Sequence, residues 1–107
     1  MSEWITVARE GSLAVDEHLI VDIDGIDVAV FNVDGTYYAI EDTCTHDGTE
    51  IASGALEGCE IICPRHGARF CLKTGKVLSG PAYEDIEMYQ VRVHDGHIQV
   101  HSSPGAS

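Results

Sequence analysis

Basic residues are scarce in this chain: six Lys and Arg stand against 18 Asp and Glu, a net charge of −12 over 107 residues. So acidic a polypeptide lacks the cationic footprint that phosphate backbones demand, which argues against nucleic acid as a partner. Long apolar runs are missing too, and none approaches the roughly 20 residues that span a bilayer. The opening Met1-Ser2-Glu3-Trp4 is acidic, with no apolar targeting segment, and the four cysteines form no evident disulfide framework. Both features point to the cytoplasm. There is no internal repeat and no sustained helical period. At 107 residues the chain is expected to be one domain, 1–107, with a modest core and no second, substrate-binding lobe.

What the chain does contain is strand-like punctuation. Trp4 to Ala8, His18 to Ile23, Ile26 to Val33 and Tyr37 to Glu41 are short runs rich in β-branched and aromatic residues. Asp24-Gly25 and Asp34-Gly35 separate three of them as hairpin turns, and Asp95-Gly96 does the same between Tyr89 to His94 and His97 to His101. In that last hairpin Val91, Val93, Ile98 and Val100 alternate with polar residues, predicting one core face and one wet face. Cys59 to Cys63 and Arg69 to Leu72 read as two further short strands, and 102–107 as a frayed terminus. The expectation is an all-β, antiparallel base domain into which a subdomain, roughly 42–82, is inserted.

Within that insert stand two mixed ligand pairs, Cys44-Thr45-His46 and Cys63-Pro64-Arg65-His66, in the pattern C-x-H-x16-C-x2-H. Each pair is too tight to wrap a single ion comfortably, but both can reach one inorganic core. A Cys2His2 zinc site is the main rival, yet zinc sites usually pair like ligands, as C-x2-4-C and H-x3-5-H. Cys59 and Cys71 do not complete plant-type four-cysteine spacing and read as small buried hydrophobes. His94, His97 and His101 could approach one another on the wet face of the last hairpin, but offer no protected pocket and read as solvent-facing.

The two pairs, with the continuation Gly67-Ala68-Arg69-Phe70 and the later Thr74-Gly75 and Ser79-Gly80-Pro81-Ala82, resemble the Rieske family, and within it the small soluble ferredoxins. The resemblance implies the Rieske fold and one [2Fe-2S] cluster, with Cys44 and Cys63 on one iron and His46 and His66 on the other. Two thiolates in place of four leave the oxidised site neutral, so it accepts an electron more easily. High-potential relatives carry a disulfide clamp at the positions of Thr49 and Arg65, and hydroxyl donors at those of Ala68 and Phe70; all are absent here. Each missing hydrogen bond lowers the potential by up to about 100 mV, so the expected potential lies near roughly −150 mV.

The same resemblance implies a one-electron carrier with no catalytic residue of its own, shuttling between a flavin-dependent ferredoxin reductase and a terminal ring-hydroxylating oxygenase. The lack of a membrane-spanning run argues against a membrane partner, and a monomer is the default for a carrier that docks and leaves. Two alternatives stay open: a small subunit of an assimilatory nitrite reductase, and the amino-terminal part of an oxygenase α subunit. Charge is uneven. Residues 1 to 62 hold fourteen acids and one base, whereas 63 to 76 hold Arg65, Arg69, Lys73 and Lys76 and no acid. This basic island makes Arg65 and Arg69 candidates for partner contact.

Overall fold

The computed structural model describes residues 4–43, 50–64, 67–80 and 85–104. Among them are ten strands and no helix: β1 Trp4–Arg9, β2 His18–Ile23, β3 Ile26–Val33, β4 Thr36–Glu41, β5 Leu56–Glu57, β6 Glu60–Ile62, β7 Arg69–Cys71, β8 Val77–Ser79, β9 Met88–His94 and β10 His97–Pro104. They form a six-stranded sheet in the order β1-β10-β9-β4-β3-β2 and a four-stranded sheet in the order β5-β6-β7-β8. Every pairing is antiparallel.

The hairpins of the large sheet follow from their turn residues. At Asp24-Gly25, Asp34-Gly35 and Asp95-Gly96 both central residues have positive φ, from 52° to 89°. That is the type I′ geometry whose twist matches the flanking strands, and Asp followed by Gly tolerates it. The turns set an unbroken register, from His18↔Phe31 to Ile23↔Ile26 and from Val28↔Glu41 to Val33↔Thr36.

β3 lies at the centre of two cores. Val28, Ala29, Val30 and Phe31 are all fully buried, a continuous apolar run because both faces of the strand are covered. By the two-residue period, Val28 and Val30 join Ile23, Ala39, Tyr89, Ile98 and Val100. Ala29 and Phe31 turn the other way, to Ile40, Ile61, Phe70, Leu72 and Ile86. The first cluster takes half-buried residues from β1 (Ile5, Val7) and β2 (Leu19, Val21), strands at opposite edges, so the large sheet curls around it. The second cluster joins the large sheet to the small one.

The small sheet is an insertion. β4 and β9 are neighbours, pairing Ala39↔Tyr89 and Ile40↔Met88, yet the chain leaves at Glu41 and returns at Met88. The Glu41 amide donates to the Glu87 carbonyl at 3.0 Å, closing the neck. Asn32, the one buried polar residue among the described residues, ties the 10–17 loop to the large sheet. Its amide donates to the Leu13 carbonyl at 2.7 Å, and its side-chain oxygen accepts from Gly35 at 2.9 Å.

Three sequence expectations need correction. β5 and β8 are additional strands, two and three residues long, too short to leave a pattern. Residues 102–104, expected to fray, continue β10, with Pro104 opposite Tyr89 beyond a register shift; a proline is tolerated where a ladder amide is not needed. In the last hairpin Ile98 and Val100 are fully buried, but Val93 is 42 % exposed, so the core face fades toward the tip.

Candidate metal centre

Of the four predicted ligands, Cys63 lies among the described residues, whereas Cys44, His46 and His66 lie outside them, as do Thr49 and Arg65. What the structure supplies is the frame from which both ligand loops spring. The first loop leaves β4 and is gathered at its base by Asp42. One Asp42 oxygen, Oδ1, accepts from the amides of Ile51 and Ala52, both at 2.9 Å, so residues 42 and 51 are held together across the loop. The Asp42 amide in turn donates to Asp27 at 2.8 Å. Sequence reasoning passed over Asp42, whose only signal is an acid at the end of a strand just before a ligand loop.

The second loop springs from β6 and returns into β7. The Cys63 amide donates to the Ala68 carbonyl at 2.7 Å and the Gly67 amide to the Cys63 carbonyl at 3.1 Å, with Gly67 at φ +77°. A left-handed residue is needed there, and glycine takes that conformation at little cost.

Gly54 brings the bases of the two loops together. A methyl group at this position would overlap the Ile62 carbonyl oxygen and lie 3.1 Å from that of Ile51. Only glycine lets the segment leaving the first loop lie against the strand entering the second. The Ile62 amide donates to Ala55 at 2.9 Å at the same crossing. Ile51, Ala52, Cys63 and Ala68 consequently share one apolar cluster. At the rear, Gly75, at φ +77°, sits under the Ile86 carbonyl and the Met88 side chain. The Ile86 amide donates to Gly75 and the Val77 amide to Asp85, which pins the returning connector.

The surroundings of Cys63 fit an iron ligand. It is 2 % exposed, among apolar neighbours, and in no disulfide. A thiolate buried there without a cation would be costly, and coordination to a metal removes that cost. Ala68 and Phe70 are 0 % and 1 % exposed, so the loop's return path is dry and its side chains carry no donor.

Electrostatically, the basic island is smaller than its composition suggests. The Arg69 guanidinium donates through Nη1 to Glu57 at 2.7 Å and to Glu60 at 3.3 Å. Both carboxylates come from neighbouring strands of the small sheet and raise the Arg69 pKa. Arg69, a candidate for partner contact, is therefore committed to an internal fork. Lys73 and Lys76 are exposed. Cys59 and Cys71 are half-buried rather than core residues. On the last hairpin, His94 is exposed and His101 meets the Trp4 ring edge-on at 5.0 Å. Among the described residues no group of three or more metal-ligating side chains occurs.

Two antiparallel sheets, the smaller inserted between β4 and β9 and carrying a buried free cysteine at the base of a loop, define a small all-β domain. The profile of the Rieske [2Fe-2S] domain family matches residues 3–90. The chain is 33 % identical over 98 residues to the ferredoxin component of the naphthalene 1,2-dioxygenase system of Pseudomonas putida, covering 92 % of this chain and 94 % of that one. It is 43 % identical over 75 residues to the 3-phenylpropionate/cinnamic acid dioxygenase ferredoxin subunit of Photorhabdus laumondii, covering 69 % and 71 %. Its structure superposes on a chain from the complex of reduced oxygenase and oxidised ferredoxin in carbazole 1,9a-dioxygenase with a TM-score of 0.90, at 30 % identity and 97 % coverage of both chains.

The chain belongs to the Rieske [2Fe-2S] domain family. Its cofactor is a Rieske-type [2Fe-2S] cluster, and its role is that of an electron-carrying ferredoxin rather than an enzyme.

Proposed function

We propose that this protein is the low-potential ferredoxin of a multicomponent ring-hydroxylating oxygenase, taking single electrons from a flavin-dependent reductase and delivering them to the terminal oxygenase. The observation that carries the reading is the match to dioxygenase ferredoxin components over nearly the full length of both chains. Cys44 and Cys63 would hold one iron and His46 and His66 the other. The bound cluster supplies a one-electron couple. The chain's own residues do the rest: Asp42 gathers the first loop, Gly54 lets the two loops converge, and the apolar cluster around Cys63 excludes water from the thiolate side.

The reading treats residues 1–107 as one domain with 42–82 as its cluster-binding subdomain, acting in the cytoplasm as a monomer. No helix among the described residues is long and apolar enough to cross a membrane. The acidic surface disfavours nucleic acid. The low potential follows from Ala68 and Phe70, buried side chains that cannot donate to the cluster sulfurs. A more oxidising couple would need such donors.

Purified protein should carry about two irons and two acid-labile sulfides per chain and give a Rieske-type EPR signal when reduced. Zinc in their place removes the ligand assignment. A midpoint potential well above zero removes the low-potential reading, while Ala68→Ser with Phe70→Tyr should raise the potential. With a reductase and a terminal oxygenase, the protein should restore substrate-dependent oxygen uptake; no restoration with any ring-hydroxylating partner overturns the proposed role.

A further inference from the structure

Strands β1, β9 and β10 contain no Asp or Glu, in a chain that carries 18. They are neighbours in the large sheet, in the order β1-β10-β9. Register fixes which side chains share their outer face: Ile98 and Val100 are fully buried, so His97, Gln99 and His101 point the other way. His97 stands between Arg9 and His94, Gln99 between Thr6 and Arg92, and His101 beside Trp4. Side-chain contacts join these rows into one surface. Arg92 Nε donates to the Gln99 side-chain oxygen at 2.8 Å, Gln99 Nε2 donates to the Thr6 hydroxyl at 3.1 Å, and the Arg92 guanidinium lies 4.3 Å over the Trp4 ring. Among the described residues the ion pairs involve Arg69 and His94, and neither Arg9 nor Arg92 has an acid partner. The nearest acids in sequence, Glu10 and Asp95, sit in turns beyond the strand ends, with Asp95 3.5 Å from His94. Neither β1 nor β10 contributes to the apolar cluster that joins the two sheets, and Thr6, Arg9, Arg92 and His94 are exposed.

We propose that this face is a docking surface for an acidic protein segment, whose carboxylates meet the Arg9 and Arg92 guanidinia. A guanidinium fork matches a carboxylate bidentately. Arg92 is already ordered by its stack on Trp4 and its bond to Gln99, so less side-chain freedom is lost when a ligand arrives. Charge selects the occupant. A nucleic acid would run off the face onto an acidic remainder, and a second copy of the chain brings a net charge of −12 against its like. A lipid surface calls for apolar side chains to insert, whereas the exposed side chains of this face are polar. A short acidic segment needs only the face itself. The ligand loops spring from β4 and β6, so a partner held on β1, β10 and β9 need not cover them. The inference stands on the register and charge of these three strands and does not depend on the reductase and oxygenase proposed above.

Isotope-labelled holoprotein titrated with a hexaglutamate peptide at neutral pH and followed by NMR tests this. The expected result is a set of shifts confined to β1, β9 and β10, including the Trp4 indole. Binding should weaken several-fold as ionic strength rises from about 0.01 M to about 0.15 M, where the screening length falls from about 30 Å to about 8 Å. Arg9→Gln, at an exposed site, should weaken it by up to about fivefold, the upper range for an exposed ion pair. Arg9→Gln with Arg92→Gln should abolish the shifts, while Lys73→Gln with Lys76→Gln leaves them in place. Absence of shifts at low salt, shifts centred on Lys73 and Lys76, or binding to phosphatidylglycerol vesicles with none to the peptide overturns the proposal.

Discussion

The large and small sheets are built on different terms, and the contrast shows where the stability of such a domain resides. In the large sheet, β2, β3 and β4 pair residue for residue through type I′ turns, and β3 is buried on both faces. Each local preference agrees with the tertiary fold. In the small sheet the strands are two or three residues long, too short to stand alone. They are held by bonds that are not ladder bonds: Asp42 to Ile51 and Ala52, Gly75 to Ile86, Asp85 to Val77. They are also held by one close approach at Gly54. Cluster ligation across the two loops adds the remaining constraint.

Substitutions should separate the two regions. The largest effect is expected from Gly54→Ala, where the new methyl overlaps the Ile62 carbonyl. A loss of about 3 kcal/mol, the upper end for overpacking, should appear with iron content well below two per chain, while amide exchange in β2, β3 and β4 stays slow. If those amides lose protection to the same extent, the two sheets unfold as one unit and the contrast fails.

Asp42→Ala comes next. It strands the Ile51 and Ala52 amides, at a cost of about 2 kcal/mol measured by urea unfolding. Asp42→Asn keeps an acceptor oxygen and should recover most of it. Equal losses in both variants would mean that the carboxylate's charge, rather than its geometry, matters.

Gly25→Ala tests the large sheet. At φ +84° a side chain costs about 1 kcal/mol. Thermal unfolding should register that loss with no change in visible absorbance, and a bleached spectrum would show that the hairpin supports the cluster directly.

The smallest effect concerns pH. The Ser53 hydroxyl donates to the Glu50 carboxylate, which, with amide bonds from Ser53 and Ala52 and the charge of His18, outweighs burial and holds the Glu50 pKa below its ordinary value. A depressed carboxylate contributes stability that is present above its unfolded pKa and lost as pH falls through the folded one. Ser53→Ala should move the Glu50 titration upward by NMR and weaken the acid-side fall in stability. An unmoved titration would assign the depression to the backbone amides and His18.

Much of the large sheet was legible because Asp-Gly turns and period-two alternation are local signals. The three-strand run from His18 to Glu41 and the last hairpin were readable for that reason, down to Ile98 and Val100 on the core face. The missed features depend on residues distant in sequence. β5 and β8 exist because β6 and β7 offer them edges. Pro104 continues β10 because Tyr89 lies opposite. Arg69 read as a free cation until Glu57 and Glu60, twelve and nine positions earlier, were brought beside it. Cys59 and Cys71 read as core residues, and only the fold showed both to be half-buried.

Sequence alone determined the ligand spacing, hence the class of cofactor, and the hairpin turns, hence an all-β base. Both are written in contiguous residues whose chemistry does not wait for the fold. Only the tertiary structure decided that the bases of the two ligand loops meet at Gly54 and that the basic island is partly neutralised. Each of these is a distance between residues far apart in the chain, set by the packing of the small sheet on β3 and β4.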